Sequence, residues 1–258
     1  MKKGFTLAEV LITLAIIGVV AAMTIPTIMA KYQEKVTVTK LLKAYALVNN
    51  AYQMAKIDNG DFVTWFSDIS KTPTTDEDGN VIAHETSKAN QDILFGKLAP
   101  YLKVVSDYKT SDAEGKYDSH YSLTGVVRSN ANVLSQCHVM NLVDGVSLIN
   151  GYVDSFEKCA IKNNHCGDFA IDINGAKSGP NKIGVDIFYF IITRENIAPM
   201  GSRLVTGVLR SFPENCTLDD TRDPVNGYAC AAWVIENKNM DYLHCTDLSW
   251  DGKHKCSD

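Results

Sequence analysis

Hydrophobic positions along this chain fall into three regimes, and each predicts a different kind of structure. From Phe5 to Ala30 the run FTLAEVLITLAIIGVVAAMTIPTIMA is apolar or small on every side, broken only by Glu9. Wound as a helix it spans roughly 39 Å, more than the ~30 Å hydrocarbon core of a bilayer. From 31 to 57 the pattern becomes one-sided. Val38, Leu41, Leu42, Tyr45, Val48, Tyr52 and Ala55 recur at spacings of three, four and seven, which marks one face of an amphipathic helix. No Gly or Pro interrupts residues 31–57 and Asn59-Gly60 stops them, so the two stretches together predict a helix over Phe5–Ile57, about 80 Å long.

The third regime is a head built of short runs. Residues 58–86 are polar and turn-rich, with Thr72-Pro73 and Asp78-Gly79-Asn80, and predict a surface loop. Ile93, Leu94, Leu98, Tyr101, Leu102 and Val105 predict a second helix over Ser87–Val105, weakened by Pro100, and 106–120 reads as a charged loop. Apolar runs then alternate with turn signals: Tyr121–Val127, Val146–Ile149, Asp168–Ile173, Val185–Thr193, Arg203–Leu209 and Ala231–Ile235. That alternation predicts antiparallel sheet. The fold class is therefore α+β, a long N-terminal helix packed against an antiparallel head.

Composition narrows the class. The 258 residues are 45% hydrophobic and 21% charged, which excludes wholesale disorder and fibrous repeats. Net charge is −5, but residues 1–57 hold seven Lys/Arg against two Asp/Glu, leaving a balance of −10 on residues 58–258. An acidic head repels phosphate backbones, so no dedicated nucleic-acid site is expected. Lys31, Lys35, Lys40 and Lys43 read as a solvated face or as contacts to acidic heads of neighbouring copies. All seven cysteines lie beyond residue 136, none in a C-x-x-C pair, a usage that suits disulfides in an oxidising compartment. Proximity suggests Cys159–Cys166, Cys216–Cys230 and Cys245–Cys256, one set among many connectivities, with Cys137 left over. Such bridges would staple the C-terminal loops.

Two residues do not suit a plain membrane anchor. A carboxylate such as Glu9 inside an apolar helix costs ~2.5–3.5 kcal/mol on insertion scales, so it calls for a partner unless it snorkels to the surface. Pro26 removes a backbone donor within the same run and should kink or locally melt the helix. Lys2 and Lys3 precede the run and favour a cytoplasmic N-terminus with the head outside. A secretory signal cut after Ala30 is the competing reading, but its apolar region would be overlong and interrupted by Glu9.

Lys3-Gly4-Phe5-Thr6-Leu7-Ala8-Glu9-Val10-Leu11-Ile12 resembles the processing and methylation motif of type IV pilins and of type II secretion pseudopilins. Ala8 departs from that pattern, where a bulky aliphatic residue is commoner. The resemblance implies a leader 1–4 cut between Gly4 and Phe5 by a prepilin peptidase, N-methylation of Phe5, a membrane and filament-core segment 5–30, an amphipathic segment 31–57 and an extracytoplasmic head 58–258. It implies a structural subunit rather than an enzyme, inserted in the bacterial inner membrane among membrane lipid. Its implied partners are itself, other pilins or pseudopilins and an inner-membrane assembly platform. Paired with a neighbour's Phe5 amine, Glu9 would favour registered assembly, while Ala15, Gly18, Ala21 and Ala22 let helices approach. A head of 201 residues leans toward a minor or tip subunit that binds an outside ligand. The rival from another class is a tethered binding protein or enzyme using the helix only as an anchor.

Within the head, Asp172, Asn174 and Asp186 gather hard oxygens around Gly turns, a candidate calcium site, against the simpler reading of Asx turns. Asp219, Asp220, Asp223 and Asn226-Gly227, between Cys216 and Cys230, resemble a pseudopilin calcium loop in composition only. His138, His165 and His244 each adjoin a cysteine, yet adjacent residues rarely point at one ion, which speaks against zinc. No hydrolase, metalloprotease or phosphate-loop motif is present.

Overall fold

The computed structural model of the chain describes residues 6–66, 83–117, 119–129, 137–153, 159, 165–175, 177–203 and 210–256. Helix α1 runs Leu7–Asn59, 53 residues, without a break at Pro26. Only its second half has a buried face: Val38, Leu41, Ala44, Val48, Ala51, Tyr52 and Ala55 point into the head. Helix α2 covers Ala83–Leu98. The strands are β1 Val104–Tyr108, β2 His120–Tyr121, β3 Val127–Ser129, β4 His138–Leu142, β5 Ser147–Val153, β6 Gly167–Asp172, β7 Ile187–Ile192 and β8 Ile197–Pro199, followed by helix α3 Cys230–Asn237.

Among the described residues β1-β4-β5-β6-β7-β8 form one sheet, antiparallel throughout, while β2 and β3 make a separate hairpin. Strand β7 reads as a continuous apolar run, and β6 is buried at five of its six positions, because both faces of the sheet are covered. Phe169, Ile171, Phe188, Phe190 and Ile192 face the helices, and Ala170, Ile187, Tyr189 and Ile191 face the loops behind. The α+β class predicted from the pattern is the fold observed, and it is consistent with the pilin-like architecture that the resemblance implies.

Helix α1 is also tied to the β7–β8 turn by polar bonds. The Tyr52 hydroxyl donates to the Thr193 carbonyl at 2.6 Å, Lys56 Nζ to that of Arg194 at 2.9 Å, and Gln53 Nε2 to that of Glu195 at 2.9 Å. Asn49 Oδ1 accepts from the Ile197 amide, and the Tyr45 ring stacks on Phe190 at 5.2 Å. An Asp61–Arg194 fork, 2.7 Å at its shortest, closes the end of the helix. Arg194 holds the Asp61 carboxyl below its usual range.

Several local expectations are corrected. The predicted second helix stops at Leu98: Pro100 sits in a 3-10 turn, Ala99–Tyr101, and the chain then enters β1 instead of continuing to Val105. Part of the expected 106–120 loop is thus strand. The expected strand Tyr121–Val127 is a hairpin turning at Gly125, where φ is +91°. Ala231–Ile235 is helical, inside α3, because Cys230 at its start is bridged to Cys216 and the segment packs Trp233 inward. Residues 60–66, expected on the surface, bury Phe62, Val63, Trp65 and Phe66, with Phe62 and Trp65 against Tyr52 and Phe66 edge-on to Phe62. Residues 204–209 of the expected strand Arg203–Leu209 lie outside the described residues.

Three disulfides join Cys159–Cys166, Cys216–Cys230 and Cys245–Cys256; Cys137 is buried outside them. Gly227 is required where Cys216–Cys230 closes: its φ is +107°, and a Cβ would lie 2.4 Å from the Ile183 carbonyl oxygen.

Behind the sheet His120 is fully buried, edge-on to Tyr117, and neither ring nitrogen has a hydrogen-bond partner among the described residues. Burial, aided by the Arg128 charge, pushes its pKa down to about 3 from 6.5. Nearby Asp168 is pushed up to about 7 by burial.

Two predictions follow from this packing. Leu41→Ala, at a position with no exposure, should lower the unfolding free energy by about 2–5 kcal/mol, and Tyr52→Phe by about 1 kcal/mol, in denaturant titrations of the detergent-solubilised chain. His120 binds a proton in the unfolded chain below pH 6.5 but in the folded one only near pH 3, so its contribution is present above pH 6.5 and lost as the pH falls toward 3. Stability of the wild type relative to His120→Phe should therefore fall by up to about 1.4 kcal/mol per pH unit below 6.5. A pH-independent difference would contradict the assignment. Asp168 works in the opposite direction, losing stability as pH rises from 3.8 to about 7, and cancels in that comparison.

Candidate functional site: the exposed half of the long helix

Thr6 is the N-cap of α1 and Glu9 stands three residues later, the spacing of a capping box. Glu9 Oε2 accepts from the Thr6 amide and from the Thr6 hydroxyl, both at 2.8 Å, and Thr6 Oγ1 accepts from the Glu9 amide at 3.3 Å. The carboxylate is thus held at the positive end of the helix dipole within one subunit. Gly4 and Phe5 lie outside the described residues.

Past this cap the helix presents apolar side chains to its surroundings in all directions. Leu11, Ile12, Leu14, Ile16, Ile17 and Val20 are all more than half exposed, and α1 is long and apolar enough to cross a membrane. Nothing lies within 4 Å of where a Cβ on Gly18 would stand. The subunit itself therefore does not require a glycine there. Thr13 and Thr24 bond back to the carbonyls of Val10 and Val20, which satisfies their hydroxyls inside an apolar stretch. At Pro26 the helical trace continues with one backbone donor missing.

Where α1 reaches the head, polar residues take over. Lys31, Lys35 and Lys40 are exposed, Lys43 pairs with Asp144 at 3.5 Å, and Glu34 meets His244 at 2.8 Å.

The structure brings Asp172, Asn174 and Asp186 together, with their carboxylate oxygens directed at N–H and O–H donors. Asp172 Oδ1 accepts from the amides of Asn174 and Gly175, both at 3.0 Å, and its Oδ2 from the Tyr117 hydroxyl. Asp186 accepts from the amides of Asn181 at 2.9 Å and Lys182 at 2.7 Å and from Asn174 Nδ2 at 3.2 Å. Burial pushes the Asp172 carboxyl up to about 6, against these hydrogen bonds, and raises that of Asp186 as well. The arrangement is an Asx-turn framework rather than an open ring of oxygens. In the second loop, Asp220 Oδ1 caps the amides of Arg222 and Asp223 at 3.0 Å, and Asp223 Oδ1 that of Val225 at 2.9 Å. Those backbone bonds hold the Asp220 carboxyl below its usual range.

The histidines are dispersed. His138 lies buried between Asp92, at 2.6 Å, and Asp107, clamping α2 to β1, while His244 sits on α1. Among the described residues no group of three His, Cys, Asp or Glu could hold a metal ion. The clamp was missed in the sequence because its carboxylates lie 31 and 46 residues from the imidazole. The Thr6–Glu9 box could have been found: Thr-x-x-Glu before an apolar run is its signature.

Residues 1–25 match the prokaryotic N-terminal methylation motif. Over 63 residues the chain is 35% identical to type II secretion system core protein G of Escherichia coli (strain K12) and 33% identical to that of Aeromonas hydrophila. The matched segment is 24% of this chain and 43% of each relative, so the chain spans under half the length of the curated relatives it matches. No solved structure matches. This weak homology points to a structural subunit rather than an enzyme and supports a pseudopilin-type role. The apolar helix and the motif fit an inner-membrane-anchored protein. Residues 27–199, from the end of the apolar run to β8, match a second description, and through them the chain belongs to the family described as "Family of unknown function (DUF6613)".

Proposed function

We propose that this protein is a prepilin-like subunit that polymerises through the exposed half of α1 into a type IV pilus or a type II secretion pseudopilus. In this reading a prepilin peptidase cuts between Gly4 and Phe5 on the cytoplasmic side, the new Phe5 amine is methylated, and the head stands outside the inner membrane. An assembly platform then draws the helix out of lipid into a filament. The observation that carries the reading is Glu9, the one charged residue in an otherwise apolar, unpacked helix half. An anchor gains nothing from a carboxylate there, because inserting it is unfavourable. A subunit gains a charged contact for registered assembly, strongest where water is excluded.

The capping box gives that contact a physical course. The amide and the hydroxyl of Thr6 satisfy Glu9 while the subunit is alone in the bilayer. On assembly the cationic amine of a neighbour's Phe5 competes for the same oxygens. Small side chains at Ala15, Gly18, Ala21 and Ala22 allow helices to approach, and the open space around Gly18 accommodates a neighbour. Pro26 leaves a point at which the helix can extend under load. The acidic, disulfide-closed head is the filament's outer surface, and Lys31 and Lys35 lie where α1 emerges toward it.

A Glu9→Val variant in its native membranes distinguishes a subunit from an anchor. It should insert as well as the wild type and lose at least tenfold in sedimentable filaments carrying the protein. Wild-type filament yield from the variant would contradict the proposal and leave the anchored binding protein or enzyme as the better reading.

A further inference from the structure

Where α1 leaves its apolar run it borders an open cavity of about 500 Å³, bounded by the helix at residues 30–40 and by the loops at 173–186 and 240–243. That volume is in the range of small-molecule sites. The lining is amphipathic. Val36, Val185, Met240 and Leu243 give it apolar walls, while Glu34, Thr37, Lys40 and Asn174 bring charges of both signs and neutral polar groups to the same space. These polar groups are under-used within the subunit. Lys40 makes no ion pair or hydrogen bond among the described residues. The hydroxyls of Thr13, Thr24 and Thr39 bond back to carbonyls of their own helix, whereas that of Thr37 makes no hydrogen bond among the described residues. Glu34 gives Oε1 to His244 at 2.8 Å, and its Oε2 has no hydrogen-bond partner among the described residues. Asn174 donates through Nδ2 to the Gly179 carbonyl and to Asp186, but its Oδ1 is buried with no partner among the described residues.

We propose that this cavity holds the headgroup of a phospholipid that carries a primary ammonium beside its phosphate, an ethanolamine phospholipid. The inference rests on the subunit reading above and names what fills the junction of helix and head while the subunit waits in the membrane. Position selects a lipid. The apolar run ends at Ala30, the first residue of the cavity's lining, and the headgroup layer extends roughly 5–8 Å beyond each side of the hydrocarbon core. Residues 31–35, rising ~1.5 Å each, lie in that layer. Helical side chains lean toward the N-terminus, so Thr37 and Lys40 reach down from above toward the same depth. Charge selects the headgroup. Lys40 and the Thr37 hydroxyl are donors for phosphate oxygens, while Glu34 Oε2 and Asn174 Oδ1 are acceptors for ammonium N–H groups. Asp186, whose oxygens already accept backbone amides, adds negative charge beside them. An anionic headgroup lacks the cation that these oxygens call for, and a trimethylammonium headgroup has no N–H to give them. The apolar walls then face the glycerol and the first methylenes of the acyl chains.

The test uses the chain purified from its native membranes and placed in nanodiscs holding equal amounts of phosphatidylethanolamine, phosphatidylglycerol and phosphatidylcholine. Native mass spectrometry of the released protein should find one phosphatidylethanolamine retained at least fivefold over each of the other two. Lys40 is exposed, so replacing it leaves the fold intact. Lys40→Glu should reduce the retention at least fivefold and Lys40→Arg should preserve it. Glu34→Gln, which keeps a partner for His244, should bring phosphatidylethanolamine down to the level of phosphatidylcholine. Soluble phosphoethanolamine, the headgroup without its chains, should give no adduct; an adduct as abundant as the lipid's would make the free zwitterion the occupant and overturn the lipid assignment. Equal retention of the three lipids, or retention unchanged by Lys40→Glu, would overturn the site. A preference for phosphatidylglycerol would overturn it too, and would assign lipid contact to the exposed Lys31 and Lys35 instead. None of these results depends on filament formation, so the subunit reading stands or falls separately, on the yield from Glu9→Val.

Discussion

A single helix here has to satisfy two surroundings, and the architecture follows from that constraint. Up to residue 30 its large apolar side chains stand exposed on the subunit, so they are stable only in lipid or against other helices. From Val38 onward one stripe of the same helix is a wall of the core, packed on β6, β7 and β8 and bonded through Tyr52, Gln53 and Lys56 to the turn between the last two strands. No hinge separates the halves. A pull on the exposed end is therefore transmitted along continuous backbone hydrogen bonds into the centre of the sheet, with Pro26 the one interior position that lacks a donor.

The head answers that load with loops closed on themselves. The framework loop after β6 is held by two aspartates that accept backbone amides, the loop between Cys216 and Cys230 by Asp220, Asp223 and Asn226, and the C-terminus by Cys245–Cys256 with Asp241 accepting from the Cys256 amide. Acidic residues that look like metal ligands in a linear reading thus act as caps for chain reversals. The cost of burying Asp172 and His120 behind the sheet appears as opposing pH dependences: the carboxyl is raised and the imidazole lowered.

What could be read from the sequence was what is local. Apolar periodicity over 7–57 is a property of neighbours on one helix, and the methylation motif is a contiguous string, so the fold class and the family resemblance were both visible. Elements fixed by distant partners were not. The polar-looking strand β1 is fixed by its pairing with β4, across which Asp107 meets His138, and Pro100 ends α2 where periodicity alone would continue it. Ala231–Ile235 is too short and too apolar for periodicity to separate strand from helix; the bridge to Cys216 and the inward Trp233 decide it. At the candidate site the sequence identifies Glu9 and Pro26 and offers Glu9 a neighbour's amine or the membrane surface, whereas Thr6 three residues earlier already supplies a partner within the subunit.

Everything proposed for this protein depends on the chain being trimmed at its leader, which makes its N-terminus the most direct measurement. Intact and N-terminal peptide mass spectrometry of protein from its native membranes should find a mature chain that begins with N-methyl-Phe5. A chain beginning at Lys31 would mean a secreted soluble head, and an unprocessed Met1 would mean a plain anchor. Either would contradict the account.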